Sequence, residues 1–220
     1  MEHKSELHEF AISSISELGL TIGESHAEQF MRYLVHLMEW NKTINLTTII
    51  DPKEIIIKHF VDSLAALVAT NFPQNGVVLD IGSGGGFPGI PLKIVRSDIR
   101  LVLVEPSLKK CSFLNSVIGL LRLQGVSTFD GTIEQYAKRS FCRVIDMVVV
   151  RALKFEEIRR HISALLTPRG RVVLYRTEPI KNQEIGEEFH LVSESVLVLP
   201  KGSGKRVISV IEKNNFKYNE

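Results

Sequence analysis

The stretch Val77-Val78-Leu79-Asp80-Ile81-Gly82-Ser83-Gly84-Gly85-Gly86-Phe87-Pro88-Gly89 decides how this chain folds. It begins as an apolar run interrupted only by Asp80, which fits a strand covered on both faces in a parallel sheet. Gly82, Gly84 and Gly86 then remove Cβ atoms, so the backbone can turn tightly and come close to a ligand. Pro88 suits the first turn of a following helix. Strand, glycine turn and helix in that order form the ligand crevice of an open α/β sheet.

Working outward, the alternation of apolar runs and helical patterns predicts strands over 77–81, 100–105, 125–129, 145–150, 171–175, 191–199 and 207–211. Helices are expected over about 88–96, 107–121, 132–139, 154–166 and 179–187. Only Lys201-Gly202-Ser203-Gly204-Lys205 separates the last two strands, so they should pair as an antiparallel hairpin. Upstream, Ser25 and Glu28 have capping-box spacing. They open a helix whose Phe30, Tyr33, Leu34, Leu37 and Met38 form an apolar stripe, read as core packing. Asp51-Pro52 reads as the cap and first residue of a second helix reaching about Val68. The expected fold is a doubly wound, mostly parallel seven-stranded α/β sheet with an antiparallel C-terminal strand and an N-terminal helical cap. The cap takes residues 1–72 and the ligand-binding domain 73–220.

A chain of 220 residues with 44% apolar side chains can bury a full core without disulfides or metal. Its two cysteines, Cys111 and Cys142, have no CxxC spacing and no histidine cluster nearby, which argues against a disulfide framework or zinc site and suits a reducing cytosol. The charged N-terminus lacks the apolar core of a signal peptide. No apolar run approaches the ~18 residues of a spanning helix. A cytoplasmic protein without membrane contact is expected. Residues 1–70 carry ten acidic and five basic side chains, so the net charge of +2 conceals a cap at −5 and a remainder at +7. A basic C-terminal two-thirds is compatible with a polyanionic partner.

Two ligands compete for the glycine turn. Gly84, Gly86 and Gly89 satisfy a short dinucleotide spacing, weak by itself. Asp80-x-Gly82-x-Gly84-x-Gly86 is instead similar to the first motif of class I methyltransferases. There Asp80 faces the ammonium of S-adenosyl-L-methionine, whereas a pyrophosphate is repelled by a carboxylate so close. Glu105 ends the next predicted strand and can accept both ribose hydroxyls of either ligand. Capping of the turn by Asp80, and pairing of Glu105 with Lys109 or Lys110, are the purely structural readings.

Six separated motifs resemble the RsmG family, also called GidB, the bacterial 16S ribosomal RNA guanine-N7 methyltransferases. They are Trp40-Asn41-Lys42 with Asn45-Leu46-Thr47; Lys58-His59 with Asp62-Ser63; Asp80 through Pro91-Leu92; Ser107 through Phe113-Leu114; Val150-Arg151-Ala152; and Gly204-Lys205-Arg206. The resemblance implies a class I, Rossmann-like methyltransferase fold and S-adenosyl-L-methionine as cofactor. Its binding set is Asp80, Gly82, Ser83, Gly84, Gly86, Phe87, Glu105, Ile133, Glu134 and Arg151, with Ile133-Glu134 at the adenine. It implies catalytic roles for Arg151 and Lys110, RNA binding by Lys110, Arg176 and Arg206, and no metal. The implied partner is 16S ribosomal RNA, the small subunit or its precursor, met by a monomer without a protein partner. Three positions depart from the family: Thr132 where Arg is frequent, Val150 in place of Ser, and Arg176-Thr177 in place of Lys-Gly.

Guanine N7 presents a lone pair and no proton, so its methylation needs alignment rather than a general base. That agrees with a chain offering ligand cradles and cations but no nucleophile–histidine–acid signature. Lys109, Lys201 and Lys205 join the cations as phosphate contacts or as merely solvated side chains. His59 and Asp62 read as a structural pair tethering the cap, with a catalytic pair as the alternative. Trp40 reads as a cap anchor, with base stacking as the alternative. Other functional classes are methyl transfer to a tRNA, protein or small molecule, an NAD-dependent oxidoreductase, and a non-catalytic RNA-binding module.

Overall fold

The computed structural model describes residues 2–139 and 144–214, and Cys142 lies outside them. Seven strands form one sheet: β1 (Val77–Ile81), β2 (Arg100–Glu105), β3 (Val126–Asp130), β4 (Ile145–Arg151), β5 (Leu166–Arg176), β6 (Phe189–Val198) and β7 (Lys205–Lys213). Their order is β3-β2-β1-β4-β5-β7-β6. The first five are parallel, and β7 inserts antiparallel between β5 and β6. The chain winds one way from β1 through β3 and the other way from β4, so the switch point falls beside the C-terminal end of β1, where the glycine turn lies.

The cap comprises α1 (Glu2–Glu17), α2 (Glu24–Asn41), α3 (Pro52–Ile55), a π turn (Ile56–Val61) and α4 (Asp62–Ala69). Around the sheet lie α5 (Gly89–Val95), α6 (Leu108–Leu121), α7 (Ile133–Arg139), α8 (Phe155–Leu165) and α9 (Asn182–Ile185), with a 3-10 turn at Pro200–Gly202. Asp51 caps α3 as expected, its carboxylate accepting from the Glu54 N–H at 2.8 Å. The start of α2 differs from expectation. Gly23, in extended backbone, is the cap, and the His26 ring accepts from its N–H at 3.4 Å, so Ser25 and Glu28 sit inside the helix. The helix expected over 179–187 shrinks to one turn, because Pro179 delays its start and Gly186, at φ +76°, ends it. β5 starts earlier than expected, at Leu166, and crosses Thr167-Pro168-Arg169-Gly170 with a register shift against β4.

Side chains alternate between sheet faces, so one face packs on α7 and α8 and the other on α5, α6 and the cap. The cap face buries Val78, Leu101, Leu103, Met147, Val149, Val173, Ile208 and Val210 in one core with Phe30, Tyr33, Leu34, Leu37 and Phe60. Continuing the same alternation to the strand ends brings Asp80, Glu105, Arg151, Tyr175 and Arg206 to the cap side as well. Tyr33 stacks on Phe60 at 5.1 Å and on Phe87 at 5.5 Å, tying α2 to the glycine turn. Trp40 is half-buried against Phe113, 5.6 Å between ring centres, as the cap-anchor reading expects.

Candidate active site

At the C-terminal end of β1, Asp80 is fully buried. Its Oδ2 accepts from the Gly89 N–H at 2.8 Å, which caps α5, while Oδ1 is buried without a partner. Burial pushes this carboxyl up to about 7, against the opposing pull of the Gly89 N–H, Arg151 and the nearby Ser83 hydroxyl. That hydroxyl donates to the Asp80 backbone carbonyl at 3.1 Å and leaves Oδ1 unmatched. At the end of β2, Glu105 accepts from Gly84 N–H at 2.9 Å and from Ser107 N–H at 3.0 Å. Backbone donors, and not Lys109 or Lys110, therefore hold its carboxylate. Each oxygen keeps a lone pair for a further donor. A Cβ on Gly84 would meet nothing closer than 3.8 Å, so the turn opens toward space on that side. At Gly86 the reverse holds: a Cβ would lie 2.5 Å from the Tyr33 hydroxyl, which donates to the Gly85 carbonyl. The N-terminal N–H of α5 that a pyrophosphate needs is taken by Asp80, which disfavours the dinucleotide reading.

Beside this turn lies a cavity of about 710 Å³ lined by side chains of the cap, β4, β5 and the β6–β7 hairpin, among them Lys58, His59, Arg151, Tyr175, Arg176 and Arg206. Its organising group is Asp62, which is fully buried. Arg206 grips it in a fork, Nε to Oδ1 at 2.5 Å and Nη2 to Oδ2 at 2.8 Å. Arg151 Nη1 donates to Oδ2 at 3.2 Å and to the Lys58 carbonyl of the π turn at 3.3 Å. The guanidinium of Arg151 also lies 5.3 Å from the centre of the Phe87 ring, a cation–π distance. His59 stacks on the same ring, 4.6 Å between centres, with Thr47 Oγ1 on its Nε2 at 2.7 Å and Arg151 Nη2 3.5 Å from its Nδ1. Burial, reinforced by the Arg151 charge, lowers His59 to about 3, so the ring is neutral and accepts from Arg151. Ala152, directly after Arg151, occupies left-handed backbone at φ +64°, a costly conformation for a residue with a Cβ.

The expected site residues thus fall into groups. Asp80, Gly82, Ser83, Gly84, Gly86 and Glu105 form the crevice, and Arg151, Arg176 and Arg206 share the adjoining cavity. Phe87 is buried between His59 and Tyr33 and serves as the floor under Arg151. Arg176 is bound by both oxygens of Glu184 at 2.9 and 3.0 Å. Ile133 is buried at the start of α7, but the Glu134 carboxylate turns outward to Lys138 at 2.7 Å. Lys110 stands apart from the cavity, in a recess shared with Lys109, Ser107 and the Thr43–Asn45 segment. Lys201 pairs with Glu17 of α1 at 2.8 Å, whereas Lys205 lines the cavity. Of the departures, Val150 lies in the core behind the sheet, Thr132 caps α7 through the Gln135 N–H at 3.3 Å, and the Arg176-Thr177 pair lines the cavity. The pattern did not foretell that Asp62 joins two arginines, although its motif with His59 was visible. Among the described residues no helix is long and apolar enough to cross a membrane, and no cluster suits a metal.

Comparison with known proteins agrees with this geometry. Residues 26–206 match the family model GidB, rRNA small subunit methyltransferase G. The chain is 33% identical over 209 residues to ribosomal RNA small subunit methyltransferase G of Clostridium botulinum strain Loch Maree, covering 94% of this chain and 85% of that one. Its fold is similar to the crystal structure of a putative O-methyltransferase from Klebsiella pneumoniae, with a TM-score of 0.56, 16% identity, and 83% and 90% of the two chains covered. It is also similar to a mutant of MtNAS in complex with S-adenosylmethionine, with a TM-score of 0.57, 19% identity, and 95% and 88% covered. With one family model spanning most of the chain and the carboxylates of its crevice set beside an arginine-lined cavity, this chain belongs to the GidB family of ribosomal RNA small subunit methyltransferases.

Proposed function

We propose that this chain transfers a methyl group from S-adenosyl-L-methionine to N7 of a guanine in 16S ribosomal RNA of the small subunit. The observation that carries the reading is the buried, unpartnered Oδ1 of Asp80 at the mouth of the glycine turn, beside a cavity walled by arginines. A lone buried acceptor is costly unless a donor arrives, and the ammonium of the cofactor is such a donor. Glu105 has lone pairs for the ribose hydroxyls, and Gly82, Ser83, Gly84, Gly86 and Phe87 supply the turn. Ile133 flanks the adenine side; Glu134 joins it only by leaving a solvent-exposed pair with Lys138, which water screens and which is easily given up. Bound there, the cofactor supplies an electrophilic methyl on a sulfonium.

The protein's own task is positioning. Guanine N7 has no proton to remove, and the one histidine in the cavity, His59, is held neutral as an acceptor for Arg151 rather than as a free base. Arg151, Arg176 and Arg206 give the cavity wall a positive face for the RNA, with Lys110 extending it past α6. Residues 1–72 act as a cap that closes this cavity over the cofactor domain, 73–220. The protein works as a cytoplasmic monomer on 16S RNA, the subunit or its precursor.

The decisive test compares 16S RNA from cells with and without the gene. Loss of one N7-methylguanosine, seen as a missing site of reductive strand cleavage, is expected; an unchanged cleavage pattern refutes the target. Asp80 titrates near 7, and only its ionised form accepts well from an ammonium. Affinity for S-adenosylhomocysteine should therefore rise between pH 6 and 7.5, with proton release detected by calorimetry in buffers of different ionisation enthalpy. Asp80→Asn should flatten that dependence and weaken binding; a parallel slope in the variant contradicts the assignment.

A further inference from the structure

We propose that Asp62, delivered by the cap, is a positioning residue for methyl transfer: it holds Arg151 and Arg206 together as one paired cation facing the reaction cavity. The proposal rests on the reading that this cavity receives the target guanine. Arg151 comes from the end of β4 and Arg206 from the start of β7, strands separated in the sheet by β5. Two guanidiniums brought this close repel unless a carboxylate lies between them, and Asp62 occupies that position with contacts of 2.5, 2.8 and 3.2 Å. One carboxylate against two guanidiniums leaves a net charge of about +1 at the cavity wall.

Asp62 is an expensive way merely to fasten the cap. A fully buried carboxylate forfeits its hydration, and apolar residues of similar volume stabilise at least as well. The cap is already fastened by the Tyr33–Phe60–Phe87 stack and by the Tyr175 hydroxyl, which donates to the Ser63 carbonyl at 2.5 Å. What Asp62 adds is direction. Arg206 commits Nε and Nη2 to it and Nη1 to the Arg176 carbonyl at 3.1 Å. Arg151 is fixed on further sides by the Lys58 carbonyl, His59 and the Phe87 face. Every guanidinium has five N–H donors, so each keeps donors free, and these are aimed by the shared carboxylate. Free donors of fixed direction suit oxygens of RNA that must be placed while N7 is left open to the methyl group.

A positioning role and a purely structural role make opposite forecasts for Asp62→Asn. The substitution keeps the size but removes a buried negative charge from behind a cavity wall that meets a polyanion, so affinity for RNA should be unchanged or tighter. The two guanidiniums lose their common axis, and kcat should fall about 100-fold, the scale of a misplacement of about 1 Å. The assay uses 16S RNA from cells lacking the gene, with filter binding for RNA affinity, single-turnover methyl transfer for rate and S-adenosylhomocysteine titration for the cofactor site. RNA affinity and rate falling together, or an unchanged rate, would overturn the proposal. If Asp62→Asn does not fold, the double variant Asp62→Asn with Arg206→Gln replaces the fork with a neutral amide pair. Its rate should stay low with folding restored, and a recovered rate counts against the proposal. Methylation of the same RNA by the unaltered protein tests the underlying reading separately: if that fails, the target is wrong, whatever the variants do.

Discussion

Valine at position 82 is expected to abolish binding of S-adenosylhomocysteine and all methyl transfer. Gly82 follows β1 directly and sits at φ +72°, a conformation that β-branched residues all but exclude. Holding valine there costs about 1–3 kcal/mol, so the turn relaxes toward negative φ instead. That relaxation carries away the Gly84 N–H, which Glu105 accepts at 2.9 Å, and with it the arrangement at the ends of β1 and β2. The new Cβ would also lie 2.9 Å from Cδ1 of Leu153, a half-exposed side chain able to swing aside, so backbone conformation is the larger effect. Circular dichroism should still show a folded protein, because Gly82 itself is only half-buried and most of the apolar packing on both sheet faces lies outside the turn. Binding within threefold of the unaltered protein would show that the turn is not the cofactor cradle.

Arg206→Ala should cost more stability than its place at the cavity wall implies. Removing the fork leaves Asp62 buried with Arg151 as its remaining guanidinium, at 3.2 Å. Breaking a buried pair by deleting one partner typically costs about 3–5 kcal/mol, because an under-compensated charge stays behind. For a chain of this size that is a melting midpoint lower by about 10 °C. RNA affinity should fall as well, while affinity for S-adenosylhomocysteine, measured well below the new midpoint, is retained. An unchanged midpoint would show that Asp62 does not depend on Arg206. A purely sequence-based view of Arg206 as an RNA contact forecasts only the loss of RNA affinity.

Those two positions illustrate what a pattern can and cannot carry. The strand–glycine–helix stretch is local: each residue from Val77 to Gly89 touches its neighbours, and both the apolar run and the glycines state their conformational needs in order. All seven strands were legible for the same reason, as was the antiparallel hairpin joined by Lys201–Lys205. The cap reading at the start of α2 fails because a local signal is overruled by its surroundings. Ser25 and Glu28 have the right spacing for a cap, yet the chain turns at Gly23, whose partner is His26. The resemblance puts Glu134 at the adenine, a role for which its carboxylate must leave Lys138, one turn away on the exposed side. The same resemblance implies catalytic roles for Lys110 and Arg151, which α6 and β4 carry to separate recesses.

The sequence alone determined the order of elements, the glycine turn with Asp80 and Glu105 at two strand ends, and the family. Each of these depends on residues near one another in the chain or on side-chain types in a fixed order. Only the tertiary structure decided that Asp62 of the cap meets Arg151 and Arg206 across 89 and 144 residues. It also decided that His59 is a neutral acceptor and that Asp80 keeps one bare oxygen. Charge and burial are properties of the surroundings a side chain reaches after folding. Whether an aspartate binds a cofactor, aims a pair of arginines or caps a helix depends on which dipoles and cations the packed sheet brings within about 3 Å of it.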